Sequence, residues 1–337
     1  MRTIGYNEPH PLSDASALVD LDLPRPVPSG RDLLVEIKAI AVNPVDTKVR
    51  ESRPGQNGQP VVLGYDAAGV VAEVGPDVSG FGVGDEVYYA GDITRAGTNS
   101  EYHLVDERIV GRKPKSLDFS EAAALPLTAI TAWEALFDRL KVKDPVPSGT
   151  GTLLIIGGSG GVGSIAVQLA RQLTGMTVIA TASRPESRAW VTELGAHHVL
   201  DHSRPMAPQV EALGLDAPGY VFSTTHTDQH LMDIAELIAP QGRFLLIDDP
   251  GELGIMPFKT KAVSIHWEMM FTRSMFQTPD IDEQRKLLNE VADLVDAGRV
   301  RTTLSETIEP INAANLRLAH AKIESNKTIG KIVLSGF

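Results

Sequence analysis

Hydrophobic and polar residues alternate in short runs over the first third of the chain, and then give way to a slower rhythm of apolar strands and amphipathic helices. Between Leu33 and Val42, the residues Leu33, Val35, Ile37 and Ala39 alternate with Leu34, Glu36, Lys38 and Ile40. A period near two predicts a half-buried strand. Gly69 to Val74 and Glu86 to Ala90 predict two more. Turn-rich pieces, Gly75-Pro76-Asp77 and Gly80 to Asp85, lie between them, so residues up to about 120 are expected to form an antiparallel, barrel-like β domain.

After Ser120 the spacing becomes helical. Glu121 to Leu127 and Ile130 to Leu140 predict helices, with Ser120 as the cap of the first. A strand at Thr152 to Ile156, a glycine loop, a helix to about Leu173 and a strand at Thr177 to Ala182 follow. Then come a helix near Glu186 to Leu194, strands at His198 to Leu200 and Tyr220 to Ser223, a helix at Gln229 to Ile238 and a strand at Arg243 to Ile247. Strand and helix repeated at this spacing predict a doubly wound parallel sheet, rich in Val, Ile and Leu because helices cover both faces. Two further helices, near Asp282 to Ala297 and Ala313 to Glu324, precede a last apolar strand, Gly330 to Leu334. That strand is expected to return to the first domain, although periodicity does not say which sheet it joins. The fold class is therefore α/β, with residues 1–122 and 270–337 in one domain and 123–269 in the other.

A chain of 337 residues exceeds what one hydrophobic core usually serves, which agrees with two domains around a shared cleft. Thirty-one Lys and Arg against 43 Asp and Glu leave a formal charge of -12, which disfavours nucleic acid as a partner. The absence of cysteine excludes disulfides, iron–sulfur clusters and thiolate zinc, and fits a cytoplasmic address. No stretch of 18 uninterrupted apolar residues occurs and the N-terminus lacks a signal-like apolar core, so no membrane segment is expected.

The strongest chemical signal is Gly157-Gly158-Ser159-Gly160-Gly161-Val162-Gly163, with Gly-x-Gly-x-x-Gly at 158, 160 and 163 between a predicted strand and a predicted helix. In that setting Gly158 permits the tight turn, Gly160 lets backbone approach a diphosphate, and Gly163 allows close packing of helix on strand. Amides at the helix start then face the phosphates. Folds that prefer NADH place a carboxylate at the end of the next strand. Here Thr181-Ala182-Ser183-Arg184 has none, and Ser183 and Arg184 suit a 2′-phosphate, so NADPH is the expected cofactor. Arg188 is a second cation nearby, more simply a surface residue.

These residues have company. Ala41-Val42-Asn43-Pro44-Val45-Asp46, Gly64-Tyr65-Asp66-Ala67-Ala68-Gly69, Val83 to Val87, Ala124 to Ala129, the glycine loop and Leu194 to Asp201 occur in order. Over nearly its whole length the chain resembles the medium-chain dehydrogenase/reductase superfamily, in its zinc-free, quinone oxidoreductase-like branch. The resemblance implies a GroES-like β-barrel catalytic domain with a Rossmann NADP-binding domain inserted in it, and a homodimer. Zinc-dependent members carry Cys where Asn43 stands, His where Tyr65 stands and usually another Cys near Leu127, so no metal site is expected.

The resemblance places Asn43 and Tyr65 nearest the nicotinamide, with Asp46 beside them as a positioning group or a catalytic one. It gives Thr131 and Lys331 cofactor contacts. Without a Lewis acid, hydrogen-bond donors must stabilise the charge on the substrate oxygen. A quinone or enone suits this, because conjugation spreads that charge. Tyr65 or solvent supplies the proton. The expected activity is NADPH-dependent hydride transfer to a quinone or conjugated carbonyl. An enal or enoyl reductase, or a non-catalytic NADPH sensor, remain alternatives. The Met and aromatic cluster Trp267 to Phe276 is expected to line an apolar cleft or to pack in a core or dimer interface.

Overall fold

The computed structural model describes the backbone of residues 1–337 and every side chain but that of Thr150. The chain divides into two compact units, one of Met1–Ile130 with Phe271–Phe337 and the other of Thr131–Met270.

The first unit holds two sheets. In the smaller, Arg2–Tyr6 lies between Val19–Asp22 and Val61–Val62, antiparallel to both. The larger runs Leu304–Ile308, Lys331–Ser335, Asp32–Ala41, Asp66–Val74, Glu86–Tyr89, Val110–Arg112, and Tyr102–Asp106 adds a second pairing to Asp32–Ala41. The last strand of the chain therefore does return to this unit. It pairs antiparallel with Asp32–Ala41, Val333 opposite Ala41, and parallel with Leu304–Ile308.

Asp32–Ala41 is more deeply buried than its alternation suggests, since Leu33, Leu34 and Val35 are all sealed from solvent. Polar alternation cannot reveal a second covering layer. The helix Phe119–Ala123 packs against this strand and against Asp66–Val74 and supplies that layer. Its cap is Asp118, not Ser120. Asp118 accepts from the Glu121 amide at 2.8 Å and Glu121 accepts from the Asp118 amide at 3.0 Å, a reciprocal box that Ser120, two residues later, cannot make because Ala123 stands three places beyond it. The helix stops at Ala123, and another starts at Pro126 and runs to Trp133, because proline has no amide to extend the first but fits an opening turn. Beyond it, Glu134–Arg139 widens into π-type turns.

The second unit is a six-stranded parallel sheet. Its order is His198–Leu200, Thr177–Thr181, Thr150–Ile156, Pro218–Ser223, Arg243–Leu246, Ser264–Trp267. Numbered along the chain this is 3-2-1-4-5-6, the dinucleotide-fold order, with the switch in direction beside Thr150–Ile156. Helices Gly161–Leu173, Pro185–Glu193 and Thr227–Leu237 connect the strands. Leu154, Ile156, Ile179, Val221, Ile234, Phe244 and Leu246 form one core cluster on the sheet.

The cluster Trp267 to Phe276 does not act as one surface. Met270 and Phe271 are buried, whereas Trp267 (53%), Met269 and Phe276 (72%) are exposed, and the boundary between units falls within the run. No helix among the described residues is long and apolar enough to cross a membrane.

Candidate active site

In the first unit the polar residues of the two landmark segments converge on the C-terminal strand. Asp66 opens the strand Asp66–Val74 and is fully buried. One carboxylate oxygen, Oδ1, accepts the Leu127 amide at 2.7 Å, and the other, Oδ2, accepts Asn43 Nδ2 at 2.8 Å and Lys331 Nζ at 2.9 Å. Lys331, also buried, donates to Asn43 Oδ1 and to the Val42 carbonyl as well. An ammonium has three N–H donors, and three acceptors surround this one. Both ends of the Asn43 amide are likewise engaged.

Asp46 sits in the first turn of the helix Pro44–Ser52 that follows Asn43. Its Oδ2 accepts the Asn43 amide at 2.8 Å and its Oδ1 the Gly64 amide at 3.0 Å, which ties the two landmark segments together. Burial pushes its carboxyl up to about 7, against the pull of those two amides and of Lys331. Gly64 adopts φ +100°, and a Cβ there would lie 2.4 Å from Asn99 Oδ1, so the turn that delivers Tyr65 and Asp66 requires glycine.

Tyr65 is buried and meets Phe271 edge-on, centroids 5.2 Å apart. Burial, with Asp46 nearby, pushes its phenol well above the ordinary range, while the Arg53 guanidinium, hydrogen-bonded to it, pulls the other way. Arg53 is partly exposed and also donates to the Ile93 carbonyl at 2.9 Å.

In the second unit the glycine loop follows the strand Thr150–Ile156. The left-handed turn residue is Gly157, at φ +78°, not Gly158. Gly158 instead lies against the neighbouring strand, its amide donating to the Thr181 carbonyl at 3.1 Å, and a Cβ on it would meet the Ala180 Cβ at 2.8 Å. A Cβ on Gly163 would come within 2.3 Å of the Gly157 carbonyl oxygen, so this glycine allows the close packing expected of it. At Gly160, the N-cap of Gly161–Leu173, a Cβ would meet only the Gly157 oxygen, at 3.6 Å. Backbone is thus open to a ligand on that side. Ser159, Gly160, Gly161 and Val162 are all partly exposed. The opening amides of a 13-residue helix have no carbonyl four residues earlier to serve and carry its positive end.

Ser183 is exposed and Arg184, partly exposed, precedes the helix Pro185–Glu193, its amide donating to Ser187 Oγ at 3.2 Å. Arg188 points its guanidinium at the Ala182 and Val199 carbonyls, at 3.2 and 3.1 Å, and so ties two strand ends together. Thr131 is buried in the helix Pro126–Trp133.

Two participants escaped the sequence reading. Asp66 belongs to the landmark Gly64 to Gly69 without a role of its own there, and no local pattern marks Arg53. The signal for Asp66 was there: it and Lys331 are opposite charges, each embedded in an apolar strand, and a buried charge needs a partner. Among the described residues there is no group of three or more His, Cys, Asp or Glu arranged to hold a metal ion.

Residues 29–115 match the profile of the alcohol dehydrogenase GroES-like domain, and residues 194–334 that of the zinc-binding dehydrogenase family. The chain is 38% identical to a zinc-type alcohol dehydrogenase-like protein of Staphylococcus aureus (strain MSSA476), with 99% of this chain and 100% of that one covered. It is 64% identical to a candidate zinc-dependent alcohol dehydrogenase protein from Rhizobium etli CFN 42, whose crystal structure superimposes with a TM-score of 0.99 over 100% of this chain and 98% of that one. Half of the chain, 51%, aligns at 37% identity with 45% of an NADPH-dependent alkenal/one oxidoreductase, chloroplastic, of Arabidopsis thaliana. With the barrel-type unit, the 3-2-1-4-5-6 sheet and these likenesses together, the chain belongs to the medium-chain dehydrogenase/reductase superfamily of oxidoreductases.

Proposed function

We propose that the protein is an NADPH-dependent, zinc-independent reductase that acts on conjugated carbonyl compounds, with quinones as the second substrate class. The observation that carries the reading is the glycine loop at the switch point of a 3-2-1-4-5-6 sheet, with no carboxylate closing the neighbouring strand Thr177–Thr181. The residues present fit a dinucleotide. The backbone of Gly158, Ser159, Gly160, Gly161, Val162 and Gly163 would hold the diphosphate, and Ser183 with Arg184 the 2′-phosphate. Thr131 is retained as a contact to the nicotinamide amide on family resemblance. When bound, reduced nicotinamide supplies the hydride.

The residues around Asn43 do not fit zinc. Both Asp66 oxygens and both ends of the Asn43 amide are spent on partners within the cluster, and the ammonium of Lys331 is itself the cation held there. We therefore read Lys331 as a scaffold cation in place of the cofactor contact expected from the sequence, and Asn43 and Asp46 as positioning groups. Tyr65 is the group assigned to the substrate oxygen. Burial keeps its phenol protonated at any working pH, so it remains a hydrogen-bond donor, with Arg53 behind it to offset developing negative charge. Conjugated substrates need no more than that, because their negative charge is already delocalised.

The alkenal/one oxidoreductase likeness favours the enone class over quinones. A cytoplasmic homodimer completes the proposal, and a sedimentation velocity run that finds only monomer at working concentration removes the dimer. Activity is tested by following loss of NADPH absorbance with an alkenal, benzoquinone and phenanthrenequinone, beside equilibrium binding of NADPH. Turnover of the alkenal faster than of either quinone is expected. Tight binding with no turnover of any of the three would replace the enzyme with a sensor.

A further inference from the structure

At the carboxyl ends of the strands next to the glycine loop, three histidines gather around one position. Thr181 closes the strand Thr177–Thr181, and its Oγ1 accepts the Gly157 amide at 3.0 Å and lies 3.1 Å from His202 Nδ1. His202 stands two residues beyond the strand His198–Leu200, and its ring meets that of His230 edge-on, centroids 5.9 Å apart. His230 comes from the first turns of the helix Thr227–Leu237. His226, which precedes that helix in a left-handed conformation (φ 50°), has its Nδ1 2.7 Å from Thr225 Oγ1. Arg184 is close enough to His202 to act on its charge.

Each half-buried imidazole, His202 and His230, is held below the ordinary histidine range, first by burial and then by neighbouring charges. The nearby carboxylates pull the other way, but most are committed to backbone. Asp201 accepts from the Ser203 amide and hydroxyl, Asp233 from the Met206 amide and Asp248 from the Thr227 amide, while Asp228 is exposed. The ring of groups around His202 and His230 is thus Arg184, His226, Asp201, Asp228, Asp233 and Asp248. It offers imidazole nitrogens that carry little charge until an anion arrives.

Ser183 and Arg184 supply one hydroxyl and one cation, and a phosphomonoester at neutral pH carries close to two negative charges. The second positive charge has an evident source. We propose that His202 and His230 complete the receptor for the phosphate on the adenosine ribose, becoming imidazolium donors to it beside Arg184. The inference rests on the dinucleotide reading of the glycine loop and deepens it. A dianion a few ångströms from an imidazole favours its protonated form. Binding of NADPH therefore takes up protons from solvent and binding of NADH does not.

The test uses the full-length protein. NADPH and NADH are titrated calorimetrically near pH 7.5 in two buffers of different ionisation heat, so that the difference in heat counts protons. At that pH the free phosphomonoester, with its second pKa near 6, is already mostly dianionic, and proton uptake belongs to the protein. We expect uptake with NADPH and none with NADH. In His202→Asn/His230→Gln, NADPH affinity is expected to fall by roughly tenfold or more, the scale of a lost charge-assisted hydrogen bond, with NADH affinity unchanged and proton uptake abolished. NADPH binding without proton uptake in the unmodified protein would overturn the inference and leave the dinucleotide reading standing, and this measurement does not depend on the variant folding. Equal loss of NADPH and NADH affinity in a folded double variant would also overturn it, by showing a structural role. If neither nucleotide binds the unmodified protein, the dinucleotide reading itself fails.

Discussion

Asn43, Asp46, Asp66 and Lys331 in the first unit are sealed from solvent, and each hydrogen-bonds to another member of the group or to nearby backbone. Ser159, Gly160, Ser183 and Arg184 in the second unit are open to solvent on at least one side. Asp66 apart, a sequence pattern flags both sets alike as site residues, yet the physics separates them. Buried polar groups that satisfy one another hold backbone in place and have no capacity left for a ligand, whereas groups at an open strand end stand where a ligand can reach them. Tyr65 stands between the two kinds, buried like the first but backed by a partly exposed cation.

The largest effect should come from breaking the buried cluster. Lys331→Met leaves the Asp66 carboxylate enclosed without its counter-ion, at an expected cost of about 3–5 kcal/mol in unfolding free energy measured by denaturant titration. Adding Asp66→Asn should recover part of that loss, and a single variant as stable as the parent would mean that the cluster is not a scaffold. Next in size, Tyr65→Phe is expected to lower kcat by roughly 100-fold with the KM for NADPH and the melting temperature unchanged. An unchanged kcat would move Tyr65 into the scaffold class. Arg184→Ala should raise the KM for NADPH by roughly tenfold and leave that for NADH within about twofold. Parallel changes for both cofactors would remove Arg184 from the open class.

The smallest effect is a pH dependence. Burial raises Asp46 from its ordinary value to about 7, so the stability that its neutral form contributes is complete below the unfolded pKa near 4 and is lost as pH rises to about 7. Asp46→Asn, neutral at every pH, should therefore show a shallower fall in melting temperature than the parent between those limits. Parallel curves would mean that the two backbone amides outweigh burial and keep Asp46 ionised.

Much of this was legible in the residues. The change from period two to strand-helix alternation marked two kinds of domain, and Gly160 and Gly163 stand where the motif requires open backbone and close packing. Local spacing could not reveal that Gly157, one place ahead of the motif, makes the left-handed turn, because that depends on the reach of Thr181 from the next strand. Nor could it pair Asp66 with Lys331 across 265 positions, since a strand's periodicity carries no record of its partner. The Asp118 cap was missed for a smaller reason: two capping residues stood two apart, and the reciprocal bond with Glu121 decided between them.

The late arrival of Lys331 has a consequence during synthesis. At a translation rate of about 5–20 residues per second, Asp66 is made roughly 10–50 seconds before the lysine that neutralises it. Residues 131–270 are contiguous and emerge complete in that interval. A nascent chain on the ribosome therefore holds all the strands of its parallel sheet while an acidic residue of the earlier one still depends on water, which exposes that half to chaperones and proteases until the last strand is delivered.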